Sequence, residues 1–285
     1  MSPEREVSPE NIAKIAIINP EQFNFGCDNL VDYQVPQSTY DNLAKILRQG
    51  RNVVLVTNHQ SYFEIETQRH FSQAINELLD VNFQSYLLYS APAVDYNIGS
   101  LLAIRNPIYK QVGLNMLGIV RKEDYHHPKY QYNITPEMEV QSKQNIRKFN
   151  EVLSGSGNLI IFPFESTLEG GRIDPQTQKI KGLQLTDPSC LDVFINRNHM
   201  ILPCGIDGSY KLINPQSHQP SRELIESILY GKSNQKLVTF RTGSIIDPQY
   251  QKDLKLSSEQ IGQQIILEVA RLLPPESRGV YTQYF

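Results

Sequence analysis

The stretch Val53-Val54-Leu55-Val56-Thr57-Asn58-His59-Gln60-Ser61-Tyr62-Phe63-Glu64-Ile65-Glu66 decides how this chain reads. An unbroken apolar run of strand length, without polar alternation, suits a strand covered on both faces, and this one stops at the polar corner Asn58-His59. Strands of that kind belong to mixed or parallel sheets flanked by helices, where functional groups gather just beyond the strand ends. His59 stands at such an end, and a carboxylate, Glu64, follows in the pattern H-x4-E. A histidine at the end of a buried strand cannot drift, and an acidic neighbour can hold one ring nitrogen so that the other faces a substrate hydroxyl. His59 and Glu64 are therefore the candidate catalytic pair.

Outward from this segment, short apolar runs alternate with amphipathic ones. On the C-terminal side the periodicity predicts a helix over 61–80, with Phe71, Ile75, Leu78 and Leu79 on its inner face, then a strand over 83–90. A helix is expected over 100–116, packed on the sheet rather than lying on a bilayer, and a short strand over 118–121. A helix over 142–153 should stop at Ser154-Gly155-Ser156-Gly157, followed by strands over 159–162, 200–206 and 237–246 and a closing amphipathic helix over 257–273. On the N-terminal side only a helix over 38–48 stands out, where Tyr40, Leu43, Ile46 and Leu47 recur at helical spacing. The expected fold is α/β: a mixed, mostly parallel sheet flanked by helices over 51–285, with a short helical N-terminal extension over 1–50. His59, Arg121 and Glu165 would all fall at strand ends.

Composition narrows the function classes. With 285 residues and 40% hydrophobic content the chain can bury a substantial core. A net charge of -3, from 27 basic and 30 acidic residues, argues against a nucleic-acid partner. The opening MSPEREVSPEN has no apolar core and carries acids, so neither a secretory signal nor a transit peptide is expected there. No stretch approaches the roughly 18 apolar residues of a spanning helix. Three widely spaced cysteines, Cys27, Cys190 and Cys204, fit a reducing compartment. The expectation is a cytoplasmic protein, free or peripheral on the inner face of a membrane. Asp124, His126 and His127 lack ligand spacing and read as a solvent loop, so no metal is expected, and Cys204 reads as an inert buried thiol.

Four blocks carry a resemblance. Thr57-Asn58-His59-Gln60-Ser61-Tyr62-Phe63-Glu64 resembles the N-H-x4-D/E signature of glycerolipid acyltransferases, and its Asn-His-Gln start is similar to the soluble, plastid-type glycerol-3-phosphate acyltransferases. Gly118-Ile119-Val120-Arg121 resembles the second block, whose arginine helps bind the acceptor phosphate. Phe162-Pro163-Phe164-Glu165-Ser166-Thr167 is similar to the third block, with Phe164 inserted and Ser166 where glycine is usual. Ile201-Leu202-Pro203-Cys204-Gly205-Ile206 resembles the fourth, an apolar strand on the acyl side, and Glu169-Gly170-Gly171-Arg172 resembles a Gly-Gly-Arg stretch whose arginine faces phosphate. Glu64 replaces the commoner aspartate.

The resemblance implies transfer of a fatty acyl group from acyl-acyl carrier protein or acyl-CoA to glycerol 3-phosphate. The same chemistry with lysophosphatidate as acceptor is the alternative, and a non-catalytic acyl-carrier or lipid-binding protein is the second. No cofactor beyond the acyl thioester is implied. Residue types agree with such a reaction. An alcohol is a poor nucleophile without a base, which His59 supplies while Glu64 fixes its tautomer. A phosphate dianion needs fixed cations, for which Arg121, Lys122 and Arg172 are the candidates and Arg105 and Lys143 weaker ones. Asn58, Glu165, Ser166, Gly170 and Gly171 are candidates for the substrate-binding or oxyanion loops, since glycines let the backbone approach closely and a backbone N–H stabilises the oxyanion.

Overall fold

The computed structural model describes residues 19–61, 63–79, 84–92, 114–126, 131–164, 182–213, 220–231 and 235–285. Its sheet is formed by β1 (Val31–Gln34), β2 (Val53–Thr57), β3 (Ser85–Ser90), β4 (Leu114–Ile119), β5 (Leu159–Pro163), β6 (Met200–Asp207) and β7 (Val238–Thr242), in the spatial order β1-β7-β6-β2-β5-β3-β4. Every residue of β2 is buried, as its uninterrupted apolar sequence requires of a strand with neighbours and helices on all sides. All pairings are parallel except β6 with β7, so β1 and β7 run against the other five strands. The carboxyl ends of β2, β3, β4, β5 and β6 therefore share one edge. Thr57 lies level with Pro163 on one side and Cys204 on the other, which places the Asn58-His59 corner at the middle of that edge.

The described helices are α1 (Pro20–Asp28), α2 (Gln37–Arg48), α3 (Glu64–Leu79), α4 (Pro136–Ser154), α5 (Asp192–Asn196), α6 (Arg222–Tyr230), α7 (Pro248–Asp253) and α8 (Ser258–Leu272). Alternate residues of β2 feed two cores. Val53 and Leu55 pack with Phe23 and Cys27 of α1, Leu43 and Leu47 of α2, Phe71 and Ile75 of α3 and Ile228 of α6. Val54 and Val56 face the opposite side, against Val152 of α4, Phe194 of α5 and Ile261, Ile265 and Val269 of α8. Local signals place the helices. Asn19 caps α1, with proline at its start, and Ser221 caps α6, which ends at Gly231 in a left-handed conformation. At α8, Ser257 and Gln260 form a reciprocal capping box.

The expected α/β architecture is the observed one, with local differences. Residues 20–48 supply two helices and also a strand, β1, which pairs with β7 at the sheet edge. The helix expected over 100–116 gives way at Leu114 to β4, and its earlier part lies outside the described residues. That strand ends at Ile119, so Val120 and Arg121 leave the sheet rather than belonging to it. Leu114, Met116 and Leu117 meet either template, and pairing with β3 decides for the strand.

Candidate active site

The corner after β2 is built from side chains that fix the backbone. Asn58 is fully buried, donating through Nδ2 to the Ile206 carbonyl at 2.7 Å and accepting at Oδ1 from the Ile206 N–H at 2.8 Å. Its amide thus prolongs the pairing of β2 with β6 by one rung. Sequence reasoning placed Asn58 among the substrate-binding or oxyanion groups; the structure turns its amide to the neighbouring strand because Ile206 offers both a donor and an acceptor there. His59, the next residue, keeps 19% of its side chain exposed and sets Nδ1 2.5 Å from Glu64 Oε2.

Glu64 opens α3, so its carboxylate lies where the unpaired N–H groups and the helix dipole favour negative charge. It is 1% exposed. One oxygen, Oε1, accepts from the backbone N–H of Gln60, from the N–H of Ser61 at 2.9 Å and from Ser209 Oγ at 2.8 Å. The other oxygen faces His59. The carboxylate is thereby oriented at both ends, and it holds the imidazole through Nδ1, so that Nε2 is the nitrogen turned away from Glu64. This is the geometry expected of a base with its orienting acid.

The end of β6 closes the far side of the corner, and sequence reasoning missed it. Gly208 adopts φ +88°, where a side chain would collide with the Leu237 carbonyl. Its N–H donates to Gln60 Oε1 at 3.1 Å, and Ser277 Oγ donates to Asp207 Oδ1 at 2.5 Å. The signal was present as Asp207-Gly208-Ser209, a turn sequence directly after a buried strand. The fourth block itself, Ile201 to Ile206, is packed between neighbouring strands and the two cores rather than facing an opening, since β6 is an interior strand. Cys204 is fully buried within it, and burial pushes its thiol well up from the ordinary value, as an inert thiol requires.

At the end of β5, the Phe164 N–H donates to the Thr57 carbonyl at 3.0 Å, which brings the third block beside the histidine corner. Glu165, Ser166, Gly170, Gly171 and Arg172 lie outside the described residues, as do Arg105 and His127.

Arg121 and Lys122 follow β4. Arg121 is 38% exposed, and its N–H and Nη2 both donate to Asp124, at 2.7 Å and 3.2 Å. Asp124, expected in a solvent loop, is instead 1% exposed, and Ser90 at the end of β3 also donates to it. Ser142 Oγ of α4 accepts the Val120 N–H at 2.9 Å, anchoring the turn that carries the arginine. Among the described residues the buried Arg121 Nε has no hydrogen-bond partner. Lys122 is exposed on the same turn, and Lys143 is exposed on α4. β2 and β4 are separated by β5 and β3, about 14 Å at the usual strand spacing, so His59 and Arg121 flank one edge without touching. Among the described residues no group of acids, histidines and cysteines could hold a metal ion, and no helix is long and apolar enough to cross a membrane.

No protein-family model matches the chain, and no curated protein matches it. Among solved structures it is similar to the 1-acyl-sn-glycerophosphate (LPA) acyltransferase PlsC from Thermotoga maritima, at 14% identity, covering 92% of this chain and 85% of that one, with a TM-score of 0.46. A likeness of that size speaks to neither substrate nor residue roles.

Proposed function

We propose that this protein is a glycerol-3-phosphate 1-O-acyltransferase of phospholipid biosynthesis, taking its acyl group from acyl-acyl carrier protein or acyl-CoA. The observation that carries the reading is the 2.5 Å contact between His59 Nδ1 and Glu64 Oε2 at the centre of the carboxyl edge of the sheet. His59 Nε2 takes the proton of the acceptor hydroxyl as its oxygen attacks the thioester carbonyl carbon. Glu64 stabilises the imidazolium that forms, and a backbone N–H stabilises the tetrahedral oxyanion. Collapse breaks the carbon–sulfur bond, and the departing thiolate takes the proton from the imidazolium, leaving 1-acylglycerol 3-phosphate and free thiol. The substrate hydroxyl plays the part that a serine plays in a hydrolase, so no acyl-enzyme is formed.

The acceptor phosphate is assigned to the cationic side of the edge, with Arg121, Lys122 and Arg172. The part-exposed Arg121 guanidinium, which Asp124 holds through Nη2, supports this, since arginine can grip a phosphate in bidentate fashion. Glu165, Ser166, Gly170 and Gly171 are assigned to the loop between hydroxyl and phosphate, and the protein is placed in the cytoplasm or on the inner face of a membrane, where its lipid product is used.

The test is incubation of the purified protein with labelled acyl-acyl carrier protein or acyl-CoA and one acceptor at a time. Singly acylated product from glycerol 3-phosphate is the expected result. Turnover with lysophosphatidate alone transfers the assignment to a 1-acylglycerol-3-phosphate acyltransferase, and donor binding without turnover on either acceptor overturns the enzymatic reading in favour of an acyl-carrier or lipid-binding protein.

A further inference from the structure

We propose that Ser209 is a positioning residue of the His59–Glu64 pair, acting through Glu64; the inference rests on the reading of His59 as the base. Two of the three donors to Glu64 Oε1, the N–H groups of Gln60 and Ser61, belong to the same corner as His59 and move with it. Ser209 is different. It comes from the far end of β6, 145 positions away, and its 2.8 Å hydrogen bond refers the carboxylate to a second strand.

The hydroxyl has little choice of partner. Ser209 is fully buried, so water does not compete for its proton, and a hydroxyl has one proton to donate. Its distance to Gln60 Oε1 is 3.5 Å, at the margin of a hydrogen bond, which leaves the Glu64 carboxylate as the acceptor. The turn that delivers it is held by backbone hydrogen bonds, from the Lys211 N–H to the Gly208 carbonyl at 3.0 Å and from the Leu212 N–H to the Ser209 carbonyl at 3.0 Å. A Cβ at Gly208 would lie 2.2 Å from the Leu237 carbonyl oxygen, so the close approach requires glycine, and the Gly208 N–H ties that position to Gln60 Oε1. With Oε1 fixed between the corner and β6, the direction of Oε2, and hence the tilt of the imidazole, is set. Without Ser209 the carboxylate is held only by the loop it is meant to orient.

The test uses full-length protein with Ser209→Ala, which deletes the donor, and Ser209→Cys, which keeps a side chain of similar shape but donates weakly. Both should lower kcat for acyl transfer about tenfold while the KM of donor and acceptor stays within about twofold, because the lost interaction orients the base and touches neither substrate. In a Glu64→Ala background, Ser209→Ala should cost less than about twofold, since the residue has nothing left to act through. An equal loss in both backgrounds, or full kcat in either single variant, overturns the proposal. Proton NMR of the imidazole separates this inference from the functional one. The His59 Nδ1 proton shared with Glu64 should resonate far downfield in the wild-type protein and shift or broaden in Ser209→Ala. If the wild-type protein transfers no acyl group, the functional reading fails alone, and that signal decides: a change upholds the positioning role, and an unchanged signal overturns it.

Discussion

Asn58 gives both ends of its amide to one residue, Ile206, at 2.7 Å and 2.8 Å, and so sutures the end of β2 to β6 immediately before the histidine. Neither contact touches the chemistry, yet both fix the backbone from which His59 projects. Asn58→Ala strips the Ile206 N–H and carbonyl of their partners in a buried site, at a cost of about 1–3 kcal/mol for each orphaned group. Urea unfolding followed by far-UV circular dichroism should show a loss of that order. Unchanged stability would mean that water enters between the two strands.

Arg69 of α3 is buried with two carboxylates, Glu66 at 3.0 Å on its own helix and Asp28 at 2.9 Å at the end of α1. Burial alone would lower the guanidinium, but Glu66 and Asp28 outweigh it and push the group above its ordinary value. Asp28 also meets His70 Nδ1 at 2.8 Å. Arg69→Met takes the guanidinium away from the buried Glu66 and, of the two contacts that tie Asp28 to α3, leaves only that with His70, so a loss of about 3–5 kcal/mol in urea unfolding is expected.

His199, just before β6, is buried, its Nε2 has no hydrogen-bond partner among the described residues, and burial followed by the nearby Arg197 pushes its imidazole down from 6.5 to about 4. Between those values the unfolded chain binds the proton that the folded chain refuses. Stability from this site is therefore complete above the unfolded value and falls as pH drops from 6.5 toward 4. Urea midpoints at pH 7 and pH 5 should differ less in His199→Leu than in the wild-type protein, and an equal difference in both would exclude His199 as a source of acid sensitivity.

Glu64 is one methylene longer than the aspartate of the signature it resembles, and the geometry uses that length. Its two oxygens reach donors from Gln60, Ser61 and Ser209 at one end and His59 at the other. Glu64→Asp cannot span both, and kcat for acyl transfer should fall about 10–100-fold with little change in either KM, a fraction of what general-base catalysis is worth. A fully active aspartate variant would show that the corner relaxes to follow the shorter side chain.

Much of this arrangement was legible in the sequence where a local pattern carried it. The apolar run Val53–Thr57 gave β2, the amphipathic pattern over 257–273 gave α8, and H-x4-E brought His59 to Glu64 because both ends of the contact lie within one turn. β1 was illegible because Val31-Asp32-Tyr33-Gln34 is short and half polar, and only the edge of β7 makes it a strand. α1 and α6 were overlooked although Asn19-Pro20 and Ser221 with Gly231 mark their ends. What sequence reasoning could not supply was partnership across distance. Asn58 with Ile206, Glu64 with Ser209 and Asp124 with Ser90 all depend on which strands become neighbours, and strand order has no local signal.

The proposed reaction depends above all on His59 removing the proton from the acceptor hydroxyl. Rapid-quench single-turnover measurement of acyl transfer to glycerol 3-phosphate, wild type against His59→Ala, tests it most directly. The variant should bind donor and acceptor with affinities within about threefold of wild type while the transfer step slows by about 10²–10⁴-fold, the range of general-base catalysis. A variant that binds both substrates and transfers the acyl group at the wild-type rate would contradict it.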